Sequence, residues 1–222
     1  MNFSRYAIYY IPDMRLFQIG SHWLGWNSLL GHETYLSNDH REITKRPRKY
    51  GFHATIKPPF SLASKFTQSE LQAEFHTFCP TVSPVTGGIL KISRLGQFLA
   101  ITQDEQPNEV TDLAAATVSH FDKFRARLTE DDIEKRRRRT LTPRQDELML
   151  RWGYPYVMQE FKFHMTLTGS LSHDKIVDIE QRANTIFRDF LGQALNINSL
   201  ALLGEDEDSG RFHVLENLSL GK

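Results

Sequence analysis

Two histidines lie in the same local pattern in this sequence. His53 lies within YGFHATIK at residues 50–57, and His164 lies within FKFHMTLT at residues 161–168. Each histidine is followed two positions later by a threonine, Thr55 or Thr166. Because side chains of a β-strand alternate between its two faces, each segment predicts a strand with one apolar face. The opposite face of each strand carries the histidine and the hydroxyl.

Such a face is suited to phosphoryl chemistry. Cleavage of a phosphodiester needs a base for the attacking water and an acid for the leaving oxygen, and histidine can serve as either near neutral pH. His53 and His164 are the candidates for these two roles. The hydroxyls of Thr55 and Thr166 could hydrogen-bond the non-bridging oxygens. An imidazolium and these donors would then balance the developing charge without a metal.

The histidine–threonine spacing is a weak signal when it occurs once. The chain has nine histidines, and a third match joins His32 to Thr34 in a polar segment without alternation. We interpret that match as chance. The alternative for His53 and His164 is that both are ordinary strand histidines satisfied by their neighbours. Recurrence of the pattern in two similar amphipathic segments favours the catalytic hypothesis.

Four further side chains are candidate substrate contacts. Lys57 and Lys162 fall on the predicted histidine faces, where they could balance developing charge, although a solvated lysine is the alternative. Tyr154 and Tyr156 belong to the segment WGYPY at residues 152–156. Their rings could stack on a base or a ribose, and simple packing is the alternative.

A basic run, KRRRR, occupies residues 135–139. It could bind RNA or a phosphorylated substrate, and Arg144 just beyond it could also touch phosphate. The alternative for such a run is a solvated face or a surface loop. The sequence does not decide between these interpretations.

The elements that must position these residues follow one another in mixed order. Strands are predicted at residues 6–11, 50–56 and 161–168, in a hairpin over 90–101, and in a final pair at 197–203 and 211–220. Helices are predicted at residues 14–30, 69–78, 108–128, 142–151 and 172–191, with a loop over 31–48 and a strongly charged stretch over 129–139. Both halves contain a neighbouring strand pair, which favours an α+β fold with antiparallel pieces in one domain over residues 1–222.

Composition limits the class of protein further. Of the 222 residues, 40% are hydrophobic and 15 are Phe, so a sizeable core can be buried. Lys plus Arg equals Asp plus Glu at 27 each, which argues against a generic nucleic-acid coat and restricts any RNA contact to a local patch. The single cysteine, Cys79, cannot form an intramolecular disulfide and is compatible with a reducing compartment. No segment approaches the roughly 20 apolar residues that span a bilayer, so we expect a soluble, cytoplasmic protein.

Cofactor motifs are missing from the sequence. There is no His-x-His, no cysteine pair and no aspartate cluster at ligand spacing, so no metal site is predicted. A glycine-rich phosphate loop of the Walker type is also missing, which gives no indication of ATP use. We therefore expect no cofactor.

The two His-x-Thr motifs resemble the motif pair that defines the two-histidine (2H) phosphoesterase superfamily, whose members include RNA 2′-5′ ligase-like proteins and cyclic nucleotide phosphodiesterases. The strings YGFHATIKPPF at 50–60 and RWGYPYVMQEFKFHMTLTG at 151–169 are similar to one branch of that superfamily. That branch consists of uncharacterised proteins associated with phosphonate metabolism. The resemblance extends over nearly the whole chain, from RYAIYYIP to RFHVLENLSL.

The resemblance implies a bilobal fold of the RNA 2′-5′ ligase type. Two pseudo-symmetric lobes would place antiparallel sheets around a central groove, with helices outside. It also implies that His53 and His164 are general acid and base, and that Thr55 and Thr166 bind phosphate. A link to phosphonate catabolism would imply a small cyclic phosphate as the substrate.

Two alternatives to a small-molecule cyclic phosphodiesterase remain open at this point. The first is an RNA 2′-5′ ligase or an RNA-end cyclic phosphodiesterase. The second, of another class, is a non-catalytic module that binds a phosphosugar or a nucleotide. The natural substrate, the regiochemistry of ring opening, the order of acid and base and the oligomeric state do not follow from the sequence.

Overall fold

The computed structural model describes residues 1–138 and 140–221. Strands and helices follow one another in mixed order along this part of the chain. The strands are β1 (Phe3–Tyr10), β2 (Trp26–Asn27), β3 (His32–Glu33), β4 (Ala54–Phe60), β5 (Val85–Leu95), β6 (Phe98–Gln103), β7 (Met165–Thr166), β8 (Ala194–Ile197), β9 (Ser199–Asp206) and β10 (Phe212–Ser219). The α-helices are α1 (Met14–Leu24), α2 (Asn38–Arg48), α3 (Gln68–Phe78), α4 (Asn108–His120), α5 (Glu130–Arg137), α6 (Pro143–Trp152) and α7 (His173–Phe187).

Eight of these strands form one antiparallel sheet. Their order is β10-β9-β1-β4-β7-β6-β5-β8, while β2 and β3 form a separate two-stranded ribbon. The central pair, β4 and β7, consists of the strands at the two His-x-Thr motifs, and three strands follow on either side of it. The predicted α+β class with antiparallel strand pairs is confirmed.

The apolar faces of the two motif strands lie in the hydrophobic core. Phe52, Ala54, Phe163 and Met165 are all buried, as the alternation predicts. Helices cover this face: the ring of Phe52 stacks on Phe187 of α7 with centroids 6.0 Å apart. The core face is therefore fixed by packing, which leaves the opposite face of β4 and β7 for polar side chains.

Helix α1 packs closely against the segment that leads into β4. A Cβ atom placed on Gly20 would lie 2.1 Å from the ring of Phe52, so only glycine allows this approach. Trp23 of the same helix donates its indole N–H to the carbonyl of Leu167, at 2.9 Å. One helix thus contacts both motif segments on their core side.

Local signals define the ends of several predicted helices. Helix α6 begins as expected, with Thr142 as its N-cap, Pro143 in its first turn and Gln145 completing a capping box. Helix α1 ends at Gly25, whose φ of 85° is the left-handed conformation that favours glycine. Helix α3 and the hairpin of β5 and β6 also lie where they were predicted.

Other expectations were wrong. Residues 38–48 form helix α2 instead of a loop, because buried side chains anchor it: Arg48 donates to the carbonyl of Leu24 at 3.0 Å and to the hydroxyl of Thr44 at 2.9 Å. The charged stretch after residue 129, where neither a helix nor a strand was predicted, forms helix α5. Helix α4 ends at His120 and not at residue 128.

The motif strands also differ in extent from the prediction. The first continues through Pro58 and Pro59 to Phe60, whereas the second has ladder pairing only at Met165 and Thr166. Both histidines therefore lie immediately beside paired residues. Within residues 1–138 and 140–221, no helix combines the length and apolar character that crossing a membrane requires.

Candidate active site

Strand register brings the four motif residues together. Ala54 of β4 lies opposite Met165 of β7, and both point into the core. In an antiparallel pair the neighbours of two facing residues also face each other, so the same register places His53 opposite Thr166 and Thr55 opposite His164. Seen from above the sheet, these four residues form the corners of a square. The two histidines lie at opposite corners, and the two threonines lie at the other two corners. Diagonal neighbours on one face of a sheet are roughly 7–8 Å apart, which leaves room for a phosphate between the imidazoles.

The imidazole of His53 is held by the backbone on one side and by an aromatic ring on the other. Its Nδ1 lies 2.9 Å from the carbonyl oxygen of Gly51, which can only accept, so Nδ1 carries the proton. In the neutral ring Nε2 then accepts from the hydroxyl of Thr55, at 3.1 Å. Tyr9 stacks on the imidazole with centroids 3.7 Å apart and an interplanar angle of 18°. His53 thus presents a basic nitrogen beside a hydroxyl.

His164 has the same arrangement in the second motif. Its Nδ1 donates to the carbonyl of Lys162 at 2.8 Å, which leaves Nε2 as the acceptor in the neutral ring. The ring is partly buried, and Phe98 of β6 lies 6.2 Å away between centroids. Each histidine is therefore oriented by the carbonyl two residues before it.

Burial controls the ionisation of both histidines. Burial lowers the pKa of His53 to about 4, the hydrogen bond to Gly51 opposes this change, and the charge of nearby His164 adds to it. Burial also lowers the pKa of His164, against the hydrogen bond to Lys162. Both rings are consequently neutral at pH 7 without a bound anion.

Aromatic and charged side chains extend the histidine face beyond the motifs. Tyr50 stacks on Phe212 with centroids 5.2 Å apart, and Tyr9 lies 5.9 Å from the same ring. Arg5 of β1 forms a two-pronged ion pair with Glu205 of β9, including an Nη2–Oε1 contact of 2.8 Å. The sequence analysis missed all of these neighbours, because pairing between distant strands places them here.

Lys57 lies in the interior instead of on an open face. Only 1% of its surface is exposed, and its ammonium donates to the carbonyl of Val118 at 3.1 Å, with Asp122 3.8 Å away. Burial lowers the pKa of Lys57 to about 8, while Asp122 opposes that change. A register shift in the pairing of β1 with β4 lies between Thr55 and Lys57, so the simple alternation does not continue to the lysine. Its contact with substrate stays a prediction.

The other predicted contacts lie at the edge of this face or at the surface. Lys162 is exposed, Tyr154 is partly buried, and Tyr156 is 37% exposed. The rings of Tyr154 and Tyr156 meet edge to face, with centroids 5.6 Å apart. Arg144 pairs with Glu147 of its own helix, at 2.7 Å. Substrate contacts by these residues stay predictions.

The basic run lies mostly in α5 and its C-terminal cap. Arg136 is partly buried, with its guanidinium 5.6 Å from the centroid of Tyr154, whereas Arg137 forms an ion pair with Asp146 at 2.8 Å. Arg138 is exposed. The last position of the run, residue 139, lies outside the described residues. The run is therefore a set of arginines in different environments and not one uniform patch.

Potential metal ligands and the single thiol complete the description of the reactive side chains. No group of three His, Cys, Asp or Glu side chains among these residues is arranged to hold a metal ion. Cys79 is buried, and burial raises the pKa of its thiol to about 12. A thiol with this pKa stays protonated near neutral pH and is a poor nucleophile.

The fold and the site define an α+β protein in which two His-x-Thr segments meet at the centre of one antiparallel sheet. The chain belongs to the family described as "Protein of unknown function (DUF1045)", whose model matches residues 55–213. The matched region includes Thr55, His164 and Thr166 and begins two residues after His53.

Two curated relatives have the same printed name. The chain is 34% identical over 222 residues to "Ribose 1,5-bisphosphate phosphokinase PhnN" of Janthinobacterium sp. (strain Marseille), covering 94% of this chain and 49% of that protein. It is 31% identical to the protein of this name from Laribacter hongkongensis (strain HLHK9), covering 95% of this chain and 50% of the relative. The chain thus spans about half the length of the curated relatives it matches.

Solved structures of low sequence identity also align with the chain. A structure described as a phosphoesterase aligns with a TM-score of 0.48 at 10% identity, covering 99% of both chains. E. coli LigT complexed with NADP+ aligns with a TM-score of 0.49 at 8% identity, covering 100% of both chains.

Proposed function

We propose that the protein is a metal-independent phosphodiesterase that hydrolyses a small cyclic phosphate. The observation that carries this proposal is the register of β4 and β7, which sets His53 and His164 on one diagonal of a square and Thr55 and Thr166 on the other. One phosphorus atom between the imidazoles would have a base on one side and an acid on the other. The threonine hydroxyls would donate to its non-bridging oxygens.

The ionisation of the two rings supports a division of roles. His53 is neutral well below pH 7, so its Nε2 can accept a proton from the attacking water. His164 is assigned as the acid, protonated at Nε2, because the anionic phosphate raises the pKa of a nearby imidazole. The new bond joins the water oxygen to phosphorus, and the ester bond to the leaving oxygen breaks. His164 gives its proton to that oxygen, and the proton on His53 returns to solvent.

The relatives support a phosphorylated sugar as the substrate class. Their printed name refers to ribose 1,5-bisphosphate, a small sugar phosphate, although this chain matches only about half of each relative. This name is consistent with the association with phosphonate catabolism that the sequence resemblance implies. A cyclic phosphate of a sugar or nucleotide contains the bond that two opposed histidines can open.

The test is hydrolysis of a panel of cyclic phosphates by the purified protein in EDTA. The panel holds 2′,3′-cyclic nucleotides, ribose cyclic phosphates and a short RNA with a cyclic end. His53→Ala and His164→Ala should each lower kcat on the order of 10²-fold or more, because each removes a proton-transfer group. The double variant should fall well short of the product of the single losses. His173→Ala, at an exposed histidine in α7, is the matched control.

Two results would contradict this mechanism. One is undiminished turnover by the double variant. The other is complete loss of activity in EDTA with recovery on addition of one metal. If the folded protein binds members of the panel but forms no product from any of them, the binding-module alternative replaces the enzyme. Circular dichroism of each variant separates loss of chemistry from loss of fold.

A further inference from the structure

The two histidines make equivalent hydrogen bonds but lie in different aromatic surroundings. The ring of Tyr9 covers one face of the His53 imidazole, with centroids 3.7 Å apart and an interplanar angle of 18°. The ring of Phe98 lies 6.2 Å from that of His164 and is tilted by 54°, so it does not stack. The surroundings of the two proton-transfer candidates are therefore asymmetric.

Tyr9 is fixed by its strand and by its neighbours. It lies in the middle of the sheet, opposite Thr55 of β4 on one side and Ala201 of β9 on the other. Its side chain is completely buried. The ring of Phe212, which is also completely buried, lies 5.9 Å away between centroids. In a close-packed environment such a ring cannot turn away without leaving a cavity, so it forms a rigid surface against the imidazole.

Strand register explains the stacking. Because Tyr9 lies opposite Thr55, His53 is its diagonal neighbour on the same face, a distance that aromatic side chains can reach across. On the other side of Thr55, the single step from Ile8 to Tyr9 faces the double step from Lys57 to Thr55, which is a β-bulge. Bulges are frequent next to active sites, where they change the direction of a side chain. Tyr9 thus lies where the regular ladder ends, with its ring against His53.

Two contacts together determine the orientation of the His53 imidazole. The bond from Nδ1 to the carbonyl of Gly51, at 2.9 Å, fixes the edge of the ring, and the parallel ring of Tyr9 fixes its plane. Nε2 then points to the hydroxyl of Thr55, at 3.1 Å. A displacement of about 1 Å from the reactive geometry can cost about 10²-fold in rate. The stacked ring therefore matters for proton transfer as much as the backbone hydrogen bond does.

The stacked ring also excludes water from one face of the imidazole. Burial is the largest cause of the lowered pKa of His53, and a parallel ring at 3.7 Å is part of that burial. The titratable groups facing this imidazole include Tyr9 of β1, Tyr50 before β4 and His164 beside β7. Burial raises the pKa of the Tyr9 phenol, so this ring is neutral near pH 7. Any effect of Tyr9 on His53 therefore comes from shape and from exclusion of water.

We propose that Tyr9 is a positioning residue for His53: its ring, and not its hydroxyl, holds the imidazole in the orientation from which Nε2 takes the proton of the attacking water. This inference rests on the proposed function, which makes His53 the base. Since Tyr9 covers one face of the imidazole, the substrate approaches Nε2 from the side of Thr55. Phe98 gives His164 no equivalent support, so the two histidines are held differently.

The experiment compares variants of two tyrosines in β1, with kcat measured on the preferred cyclic phosphate of the panel. Tyr9→Leu removes the stacked ring and should lower kcat by about tenfold to 10²-fold with little change in KM, because the phosphate-binding groups stay in place. Tyr9→Phe keeps the ring and should have a kcat close to that of the wild type. Tyr6 is a buried tyrosine on the opposite face of the same strand. Tyr6→Leu is therefore the matched control, and it should lower stability but not kcat.

Three results would overturn the inference: a wild-type kcat in Tyr9→Leu, an equal loss in Tyr9→Phe, or an equal loss in Tyr6→Leu. The second result would assign the effect to the hydroxyl, and the third would assign it to general destabilisation. Circular dichroism verifies that each variant is folded. If Tyr9→Leu does not fold, Tyr9→Met replaces it, because its flexible side chain fills irregular gaps but cannot stack as a ring.

NMR titration of His53 keeps this inference separate from the proposed function. Absence of turnover by the wild-type protein would contradict the proposed enzyme, and the titration then decides about Tyr9. In Tyr9→Leu, water reaches the uncovered face, so the pKa of His53 should rise from about 4 towards its ordinary value of 6.5. Tyr9→Phe and Tyr6→Leu should keep the wild-type titration. An unchanged titration in Tyr9→Leu would show that the ring does not control the imidazole.

Discussion

At the scale of single residues, the two histidines make equivalent hydrogen bonds to the backbone. Each donates Nδ1–H to the carbonyl two residues earlier, Gly51 for His53 and Lys162 for His164. This bond fixes the tautomer and directs Nε2 away from the backbone. Gly51 has a φ of 75°, a conformation that favours glycine, so the turn before His53 depends on that residue.

The low pKa of His53 has a consequence for stability. Its ordinary value of 6.5 falls to about 4 in the folded protein. Between these values the unfolded chain binds a proton that the folded protein does not, so the free energy of unfolding rises with pH across this window. Stability is therefore lost as the pH falls from about 6.5 towards 4. Between about pH 7 and about pH 4.5 the contribution is on the order of 2 kcal/mol.

Urea denaturation at these two pH values measures this contribution. His53→Asn should lose less stability than the wild type on acidification, by the amount given above, because asparagine does not titrate. His173→Asn, at an exposed position, should follow the wild-type curve. If His53→Asn shows the full wild-type loss, the imidazole is not held neutral by burial.

At the scale of elements, two helices begin with the same capping box in different settings. In α3 Thr67 caps with Glu70, and in α5 Thr129 caps with Asp132. Helix α3 buries Leu71, Phe75 and Phe78, whereas α5 buries no residue. Loss of an N-cap costs about 1 kcal/mol of helix stability. How much of this loss appears in the free energy of unfolding of the whole protein depends on whether the helix packs into the core.

Thr67→Ala and Thr129→Ala separate these two settings. Thr67→Ala should lower the free energy of unfolding by about 1 kcal/mol, because α3 is part of the core, and leave KM as in the wild type. Thr129→Ala should change global stability little, because α5 buries no residue. Urea denaturation and steady-state kinetics give the two readouts. A loss of stability in Thr129→Ala as large as that in Thr67→Ala would contradict the difference between the two helices.

Local signals explain which elements could be predicted. Helix α6 was predicted at its first residue, because Thr142, Pro143 and Gln145 act on their own backbone. Helix α2 was missed, because distant carbonyls hold its last residue, Arg48. The sequence of α5 does contain a helix-start signal, because Thr129 and Asp132 form a capping box. The high charge of the segment outweighed that signal in the prediction.

The candidate site also has one part that local sequence signals predict and one part that depends on contacts between distant residues. His53, Thr55, His164 and Thr166 could be proposed because each pair lies within three consecutive residues of one strand pattern. Their meeting across β4 and β7, and the stacking of Tyr9, depend on pairing between segments far apart in sequence. Periodicity specifies the face of a strand but not its partner.

At the scale of the whole molecule, the sheet is built from two four-stranded halves that meet at the site. Strands β10, β9, β1 and β4 provide His53 and Thr55, and β7, β6, β5 and β8 accompany His164 and Thr166. Neither half contains both histidines. Under the proposed function, an acid and a base for one phosphorus meet only where the halves pair, so the β4–β7 contact would be functional as well as structural.

Charge distribution over the molecule distinguishes a small substrate from RNA. The chain carries 27 basic and 27 acidic residues, and many described arginines are paired with carboxylates. A protein that makes six to ten phosphate contacts loses about 10³- to 10⁵-fold in affinity between about 50 and about 200 mM salt. A small cyclic phosphate held between two imidazoles and a few neutral donors would release far fewer counter-ions. We expect kcat/KM to fall less than about tenfold over this range.

Steady-state kinetics at increasing sodium chloride concentration check this expectation. A 2′,3′-cyclic nucleotide and a short RNA with a cyclic end are compared, and Arg138→Ala serves as the control for surface charge. A shallow salt dependence for the nucleotide, with weak turnover of the RNA, agrees with a site for one small cyclic phosphate. A steep dependence with preferred RNA turnover would contradict it, because only a chain of phosphates along the surface gives that slope. The enzyme would then be an RNA-end cyclic phosphodiesterase or an RNA 2′-5′ ligase acting through the same two histidines.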